Sequence, residues 1–303
     1  MKPEPLVAAV LAAPRGWRLW WLAARPRTLT IAATPVIAGT ALAWAEGAPH
    51  LWLAGLVAML SALLIQAGTN LHNDAADYER GNDTGERIGP PRVTAAGWAK
   101  PGAVKRAALL AFAAAFAGGI YLVAVGGWPI LAIGLASLAA GWAYSGGPRP
   151  ISYTPFGEAF VLAFFGVFAV AGSHYLQSGV LSTTALSAGL AVGGPAAAVL
   201  LINNYRDLAG DVAVGRRTLA ALLGRAGSQR AYRALMLLPL ALAPLIAWHH
   251  PGALLALATL PRALALVRSL PAAGDAAGLN ATLAGSARLQ FAFGLLLAVG
   301  VNL

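Results

Sequence analysis

The chain has 303 residues, of which 58% are hydrophobic and only 11% charged, with a mean hydropathy of +0.68. A soluble domain carries about 25% charged residues, so this composition excludes a polar-coated globule and reads as a polytopic membrane protein. The absence of cysteine excludes disulfide and thiolate-metal frameworks, and the net charge of +10 is read as cationic loops that fix orientation, with no nucleic-acid partner.

The N-terminal stretch "MKPEPLVAAVLAAPRGWRLWWLAARPRTL" has a weak basic start, and Pro14 and Arg15 interrupt its apolar run. It is not read as a cleaved signal. Trp17, Trp20 and Trp21 interleave with Arg15, Arg18 and Arg25, the pattern of a helix lying among headgroups. Residues 1–24 are therefore expected to form an N-terminal interfacial segment, and 25–303 a single domain, since no linker or low-complexity tail divides them. A spanning helix needs about 20 mostly apolar residues. Nine such stretches are predicted, near 28–46, 51–71, 104–126, 128–145, 156–177, 181–203, 231–249, 252–270 and 283–302. The eighth is the least regular, with Pro261 and Arg262 inside it. Lysine and arginine gather before the first span and around the second-to-third, fourth-to-fifth and sixth-to-seventh connections. The connections "AEGAPH", "GGW", "QSGVL" and "HHPG" contain neither. Nine spans with a cytoplasmic N-terminus put every basic loop inside and the C-terminus outside.

Most of the 11 acidic residues fall in two places. The first, "NLHNDAADYERGNDTGERIGPPR" from Asn70, holds Asp74, Asp77, Glu79, Asp83 and Glu86. The second, "LLINNYRDLAGDVAVGRRTLAALLG" from Leu200, holds Asp207 and Asp211. Both stand at cytoplasmic ends of even-numbered spans. Asn70, Asp74 and Asp77 are spaced i, i+4, i+7, and Asn203, Asp207 and Asp211 i, i+4, i+8, so each set shares a helix face. Carboxylates so close repel one another and are costly at the edge of hydrocarbon. Pairing with loop arginines is the plain explanation, and Arg206 precedes Asp207 directly. It does not explain why a carboxylate face backed by an amide occurs twice. Mg²⁺ does, because it takes hard oxygen ligands and shares them with substrate phosphates. Two such faces would clamp a diphosphate through Mg²⁺, with arginines gripping its oxygens. Arg87, Arg92 and Arg217 are the foremost candidates because Gly and Pro next to them favour ordered loops. Tyr144, Tyr153, Phe164 and Phe165 are candidate faces for a developing cation, set against ordinary packing. His72 points away from the carboxylate face and is read as packed. His50, His249 and His250 fall on the far side. A lipid-soluble diphosphate fits this chain: oily spans for the tail, and carboxylates, metal and arginines for the head.

At these residues the chain resembles the UbiA-type intramembrane aromatic prenyltransferases, in their menaquinone branch. The stretches that carry the resemblance are "RPRTLTIAATPVIAGTALA" (25–43), "NDAADYERGNDTGERIGPPRVTAAG" (73–97), "YSGGPRPISYTPFGEAFVLAFFGVFAVAGSHYLQSG" (144–179) and "NNYRDLAGDVAVGRRTLAALLG" (203–224). They span most of residues 20–230. The resemblance implies an all-α bundle of nine transmembrane helices in a bacterial inner membrane. It implies Mg²⁺-dependent transfer of a polyprenyl group from its diphosphate to 1,4-dihydroxy-2-naphthoate, with loss of carbon dioxide. By position, Asp74, Asp77, Asp207 and Asp211 would be catalytic and hold the metal, joined by Asp83. Asn70, Asn73, Asn203 and Arg216 would contact substrate. An acidic acceptor also needs a cation, for which Arg25, Arg149 and Arg217 are candidates, while Tyr144 would face the allylic cation. Two departures stand out: Arg216-Arg217 replaces the branch's usual Lys-Arg pair, and His174 stands where an aromatic residue is common. Three other readings stay open: a sister enzyme using 4-hydroxybenzoate or another aromatic acceptor, a CDP-alcohol phosphotransferase, and a membrane transporter or cation channel.

Overall fold

The computed structural model describes residues 14–82, 89 and 91–303. The start of the expected interfacial segment, together with Asp83, Glu86 and Arg87, lies outside the described residues. The regular elements among the described residues are all helices, without strands. In chain order they are α1 (Trp17–Ala23), α2 (Pro26–Ala45), α3 (Trp52–Glu79) and α4 (Pro101–Ala143). There follow α5 (Gly157–Ser178), α6 (Thr183–Arg206), α7 (Leu208–Ala213), α8 (Leu219–Ala247), α9 (Pro251–Ala272) and α10 (Ala276–Gly300).

Among the described residues, eight helices are long and apolar enough to cross a membrane. One more pass was expected because α4 had been read as two spans. Its two halves are broken at Gly127, which takes φ 67° and ψ −156°, a non-helical conformation that a residue with a side chain adopts only under strain. The chain folds back there: the rings of Phe112 and Trp142 lie 6.3 Å apart. A straight helix would separate them by about 1.5 Å per residue, or roughly 45 Å. The 43-residue α4 is thus a hairpin of two passes.

Local signals set the helix ends. Ser182, Thr218 and Asp275 accept a bond from the backbone N–H three residues on, capping α6, α8 and α10. Gly179 ends α5 in the left-handed conformation. The seventh span was expected from residue 231, but its helix extends back to a break at Gly224, where φ is 63° and ψ −177°, and a short turn from Leu219 precedes that break; Arg225 and Arg230 depress hydropathy without opposing helix formation. The eighth opens as a 3₁₀ coil over Pro251–Thr259 and becomes α-helical at Leu260.

The centre of the bundle is α6, whose Ala185, Ala188, Ala191, Ala196 and Ala197 are almost fully buried. Small residues let backbones approach where lipid offers no hydrophobic drive. A Cβ at Gly189 would stand 2.8 Å from the Cα of Val167, so Gly189→Val would push α5 away. At that crossing α5 carries a π-helical turn over Ala163–Val167. The widened turn brings both Phe164 and Phe165 to the same internal cavity.

At the N-terminus, Trp17, Trp20 and Trp21 are exposed, while Leu19, Leu22 and Ala23 pack against Leu71, Ala75 and Val93. This short helix packs on the C-terminal part of α3. At the opposite end of the bundle, His174, wholly buried, contacts Glu46 at 2.7 Å, and Gln177 bonds Trp44 and Leu51.

Candidate functional site: a charged head on an apolar cavity

A cavity of about 780 Å³ runs inside the bundle between α2, α3, α4, α5 and α6. Its deep part is apolar, walled by Ile31, Val36, Ala58, Leu122, Ile130 and Leu176. Its other end is charged. Arg25, Arg92, Arg206 and Arg216 meet Asp77, Asp207 and Asp211 there, with Asn70, Asn73 and Asn203 between them.

Asp77 is the hub on α3. It is 1% exposed and lies 2.5 Å from both Arg92 Nη1 and Arg216 Nη2. Asn73 and Asn82 add amide donors at 3.3 and 3.2 Å. The Asn73 carbonyl accepts from Arg92 at 3.1 Å and Arg25 at 3.4 Å, and its amide donates to Ser145 Oγ at 2.8 Å. One turn deeper, Asn70 donates to Ala24 O and Thr28 Oγ1 and accepts from Gln66. Arg25 takes φ 54°, the only positive φ outside glycine among the described residues. Left-handed backbone costs a side-chain-bearing residue on the order of 1–2 kcal/mol. The following Pro26 disfavours the right-handed alternative, and the outcome is a guanidinium in the cavity wall.

The second face is built across a helix break. α6 ends at Arg206 and α7 starts at Leu208, yet Asp207 N bonds Asn203 O and Asp211 N bonds Asp207 O. Those bonds keep the expected i, i+4, i+8 register. Asp207 is gripped by Arg206 Nε at 2.7 Å and Nη2 at 2.6 Å, and the same guanidinium reaches Asn203 and Asn280. Asp211 lies 3.3 Å from Arg216 Nη1. Burial raises its carboxyl to about 6; Arg216 pulls it down and Asp207 pushes it further up. Arg216 also lies 4.8 Å above the Tyr153 ring.

Several expected residues are placed elsewhere. Asp74 does not line the cavity. Its carboxylate accepts from Val93 N at 3.0 Å and Thr94 N at 3.1 Å, and from the Thr94 hydroxyl. The reason is angular: at about 100° per residue, Asn70 and Asp77 fall within roughly 20° of each other, whereas Asp74 lies some 60° from Asp77. Asp74 therefore anchors the loop that presents Arg92. Arg149 and Arg217 are exposed and outside the cavity lining. Arg80 clamps the carbonyls of Ser145 and Gly147. His72 stacks on Trp142 at 4.1 Å, as expected. His174 does not shape the cavity. Tyr144, Phe164 and Phe165 do line it, and Tyr153 supports Arg216 from beneath. Gln66 and Asn204 were missed, and Arg206 was named only as a pairing partner of Asp207, which it is. Gln66 stands one turn below Asn70, so spacing could have found it.

Among the described residues no three acidic or histidine side chains already form a metal-binding group. Hard oxygen donors are nevertheless gathered at the cavity head, and one guanidinium bridges Asp77 and Asp211. Two carboxylates already sharing one cation, with Asp207 and Asn203 alongside, fit a divalent ion such as Mg²⁺.

The UbiA prenyltransferase family matches residues 32–297. A 1,4-dihydroxy-2-naphthoate octaprenyltransferase of Mycobacterium tuberculosis is 37% identical over 218 residues, spanning 72% of this chain and 74% of that protein. One from Escherichia coli is 37% identical over 225 residues and 72% of each chain. Of the solved structures, a UbiA homologue from Aeropyrum pernix K1 matches with a TM-score of 0.68 at 15% identity, covering 89% of this chain and 97% of that one. A UbiA homologue from Archaeoglobus fulgidus bound to GPP and Mg²⁺ matches at 0.64 and 14% identity, covering 92% and 99%. At these identities the structural likeness is one of fold.

Proposed function

The chain belongs to the UbiA prenyltransferase family, and we propose that this multi-pass membrane protein joins a polyprenyl group to 1,4-dihydroxy-2-naphthoate. The carrying observation is one cavity with an arginine and aspartate head and an apolar body. The naphthoate acceptor is supported by the relatives' names. In the transfer, the allylic C–O bond breaks and its electron pair leaves on the diphosphate. The ring carbon bearing the carboxyl forms the new C–C bond. Carbon dioxide then leaves, and its bonding pair restores the aromatic ring.

Arg25, Arg92, Arg206 and Arg216 are the donors for the departing diphosphate, and Arg92 and Arg216 need least reorganisation because Asp77 already aims them. Asp77, Asp207, Asp211 and Asn203 would hold Mg²⁺, which when bound adds positive charge where the leaving group gains negative charge. Tyr144, Phe164 and Phe165 offer ring faces to the allylic carbon and keep water from it. In a bacterial inner membrane the head site and N-terminus face the cytoplasm and the C-terminus lies outside, an orientation supported by the odd number of passes and by basic residues gathered at the site end.

The test uses membranes carrying the chain, a polyprenyl diphosphate and carboxyl-labelled naphthoate. Label should leave as gas in step with prenylated product, and EDTA should stop both until Mg²⁺ is restored. Prenylation of 4-hydroxybenzoate with its carboxyl retained, and none of naphthoate, would overturn the acceptor assignment.

A further inference from the structure

Glu158 belongs to neither carboxylate cluster. It stands in the first turn of α5 and is 3% exposed. Its Oε1 accepts from Asn204 Nδ2 at 2.9 Å, and its buried Oε2 has no partner among the described residues. A carboxyl at the edge of hydrocarbon with half its acceptor capacity unmet is costly, and packing gains nothing from it. Such a group calls for a reason.

Asn204 supplies one. It lines the cavity, one residue after Asn203 of the head site, and Tyr144 and Phe160 line the same cavity. Because Nδ2 is held by Glu158, the amide is kept one way round, leaving Oδ1 as the acceptor on the cavity side. Ser152 lines the same cavity, and its buried Oγ has no partner among the described residues. This group of uncharged partners beside an aromatic wall suits a hydroxylated aromatic ring, whereas the arginine end suits a diphosphate.

We propose that Glu158 is a positioning residue which, through Asn204, holds a ring hydroxyl of the aromatic acceptor, with Ser152 as a second hydrogen-bonding group. The inference rests on the reading that an aromatic acceptor shares this cavity with the prenyl diphosphate. Asn204 Oδ1 accepts from the hydroxyl, and Glu158 prevents the amide from turning its donor face inward. A ring lacking that hydroxyl would leave both groups unpaired, so the pair selects hydroxyarenes.

The experiment measures KM separately for naphthoate and for a polyprenyl diphosphate in the full-length enzyme. Glu158→Ala and Asn204→Ala should each raise the KM for naphthoate about ten-fold and leave that for the diphosphate within about two-fold. Glu158→Gln should restore the wild-type value, since its amide oxygen accepts from Asn204. The double Ala variant should be no worse than either single one. Equal rises in both KM values, failure of Glu158→Gln to rescue in protein that extracts like wild type, or multiplying effects in the double variant would each overturn the proposal. Failure of the functional reading shows separately, as a wild-type enzyme inert toward naphthoate. The same variants are then scored on the hydroxyarene that the wild type does prenylate.

Discussion

Asp77 and Arg216 meet at 2.5 Å across 139 residues of sequence. The same guanidinium reaches Asp211 at 3.3 Å, so one cation ties the end of α3 to the segment after α7. Taking these charges out of water is costly, and their mutual attraction offsets that cost only where geometry is good. On the function proposed above, the same groups would hold a divalent cation and a diphosphate.

The first prediction concerns that guanidinium. Arg216→Ala should lower kcat by about 10²–10³-fold, the range for losing one preorganised donor to a developing anion. Arg216→Lys should recover only part of it, because an ammonium cannot bridge two carboxylates in a planar fork. Steady-state kinetics at saturating diphosphate give the answer. Near-normal turnover in Arg216→Ala would remove this residue from the head site.

Asp74 and Asp77 should separate cleanly. Mn²⁺ binding followed by electron spin resonance should be lost in Asp77→Asn and kept in Asp74→Asn. Asp74→Ala should instead free the 92–94 loop and raise the KM for the diphosphate, because Arg92 rides on that loop. Loss of Mn²⁺ binding in Asp74→Asn would make Asp74 a ligand and not an anchor.

Burial holds Asp211 neutral up to about pH 6 in the metal-free protein. Only the ionised carboxylate attracts a cation, so protons compete with the metal below that pH and cease to compete above it. Mn²⁺ affinity should fall up to about ten-fold for each pH unit below 6 as the proton takes the site. Asp211→Asn should bind more weakly and lose that dependence. A wild-type affinity flat between about pH 5 and 7 would refute it.

Topology can be tested because the native chain supplies no thiol. Arg149 is exposed at the head-site end and Pro49 is exposed at the other. Cysteines placed singly at these positions should react with an impermeant maleimide from opposite sides of sealed vesicles. Labelling from one side would break the nine-pass count.

Periodicity and composition were enough for much of this. An apolar span is a local property of about 20 residues, and so is the stacking of side chains one turn apart. The spans were therefore legible, as were the Asn70–Asp77 and Asn203–Asp211 faces, even though the second crosses a helix break. Gly127 was legible as the join between two spans, and the helix breaks there.

What the sequence by itself determined was which side chains stand on a common face and at which end of the bundle. Partner choice was decided only by tertiary structure. Asp74 turned out to serve the 93–94 loop, because some 60° of helix rotation carries it off Asp77's line and toward backbone donors that arrive 19 and 20 residues later. Arg217 stood beside Arg92 as a foremost candidate in sequence, yet it is Arg92 and Arg216 that reach Asp77. Glu158 and Asn204 carry no signal in spacing, since they lie 46 residues apart and meet only where α5 packs on α6. A charge-assisted hydrogen bond forms only when donor and acceptor come within about 3 Å. Which arginine answers which aspartate is thus settled by how helices pack, a matter on which neighbours in the chain are silent.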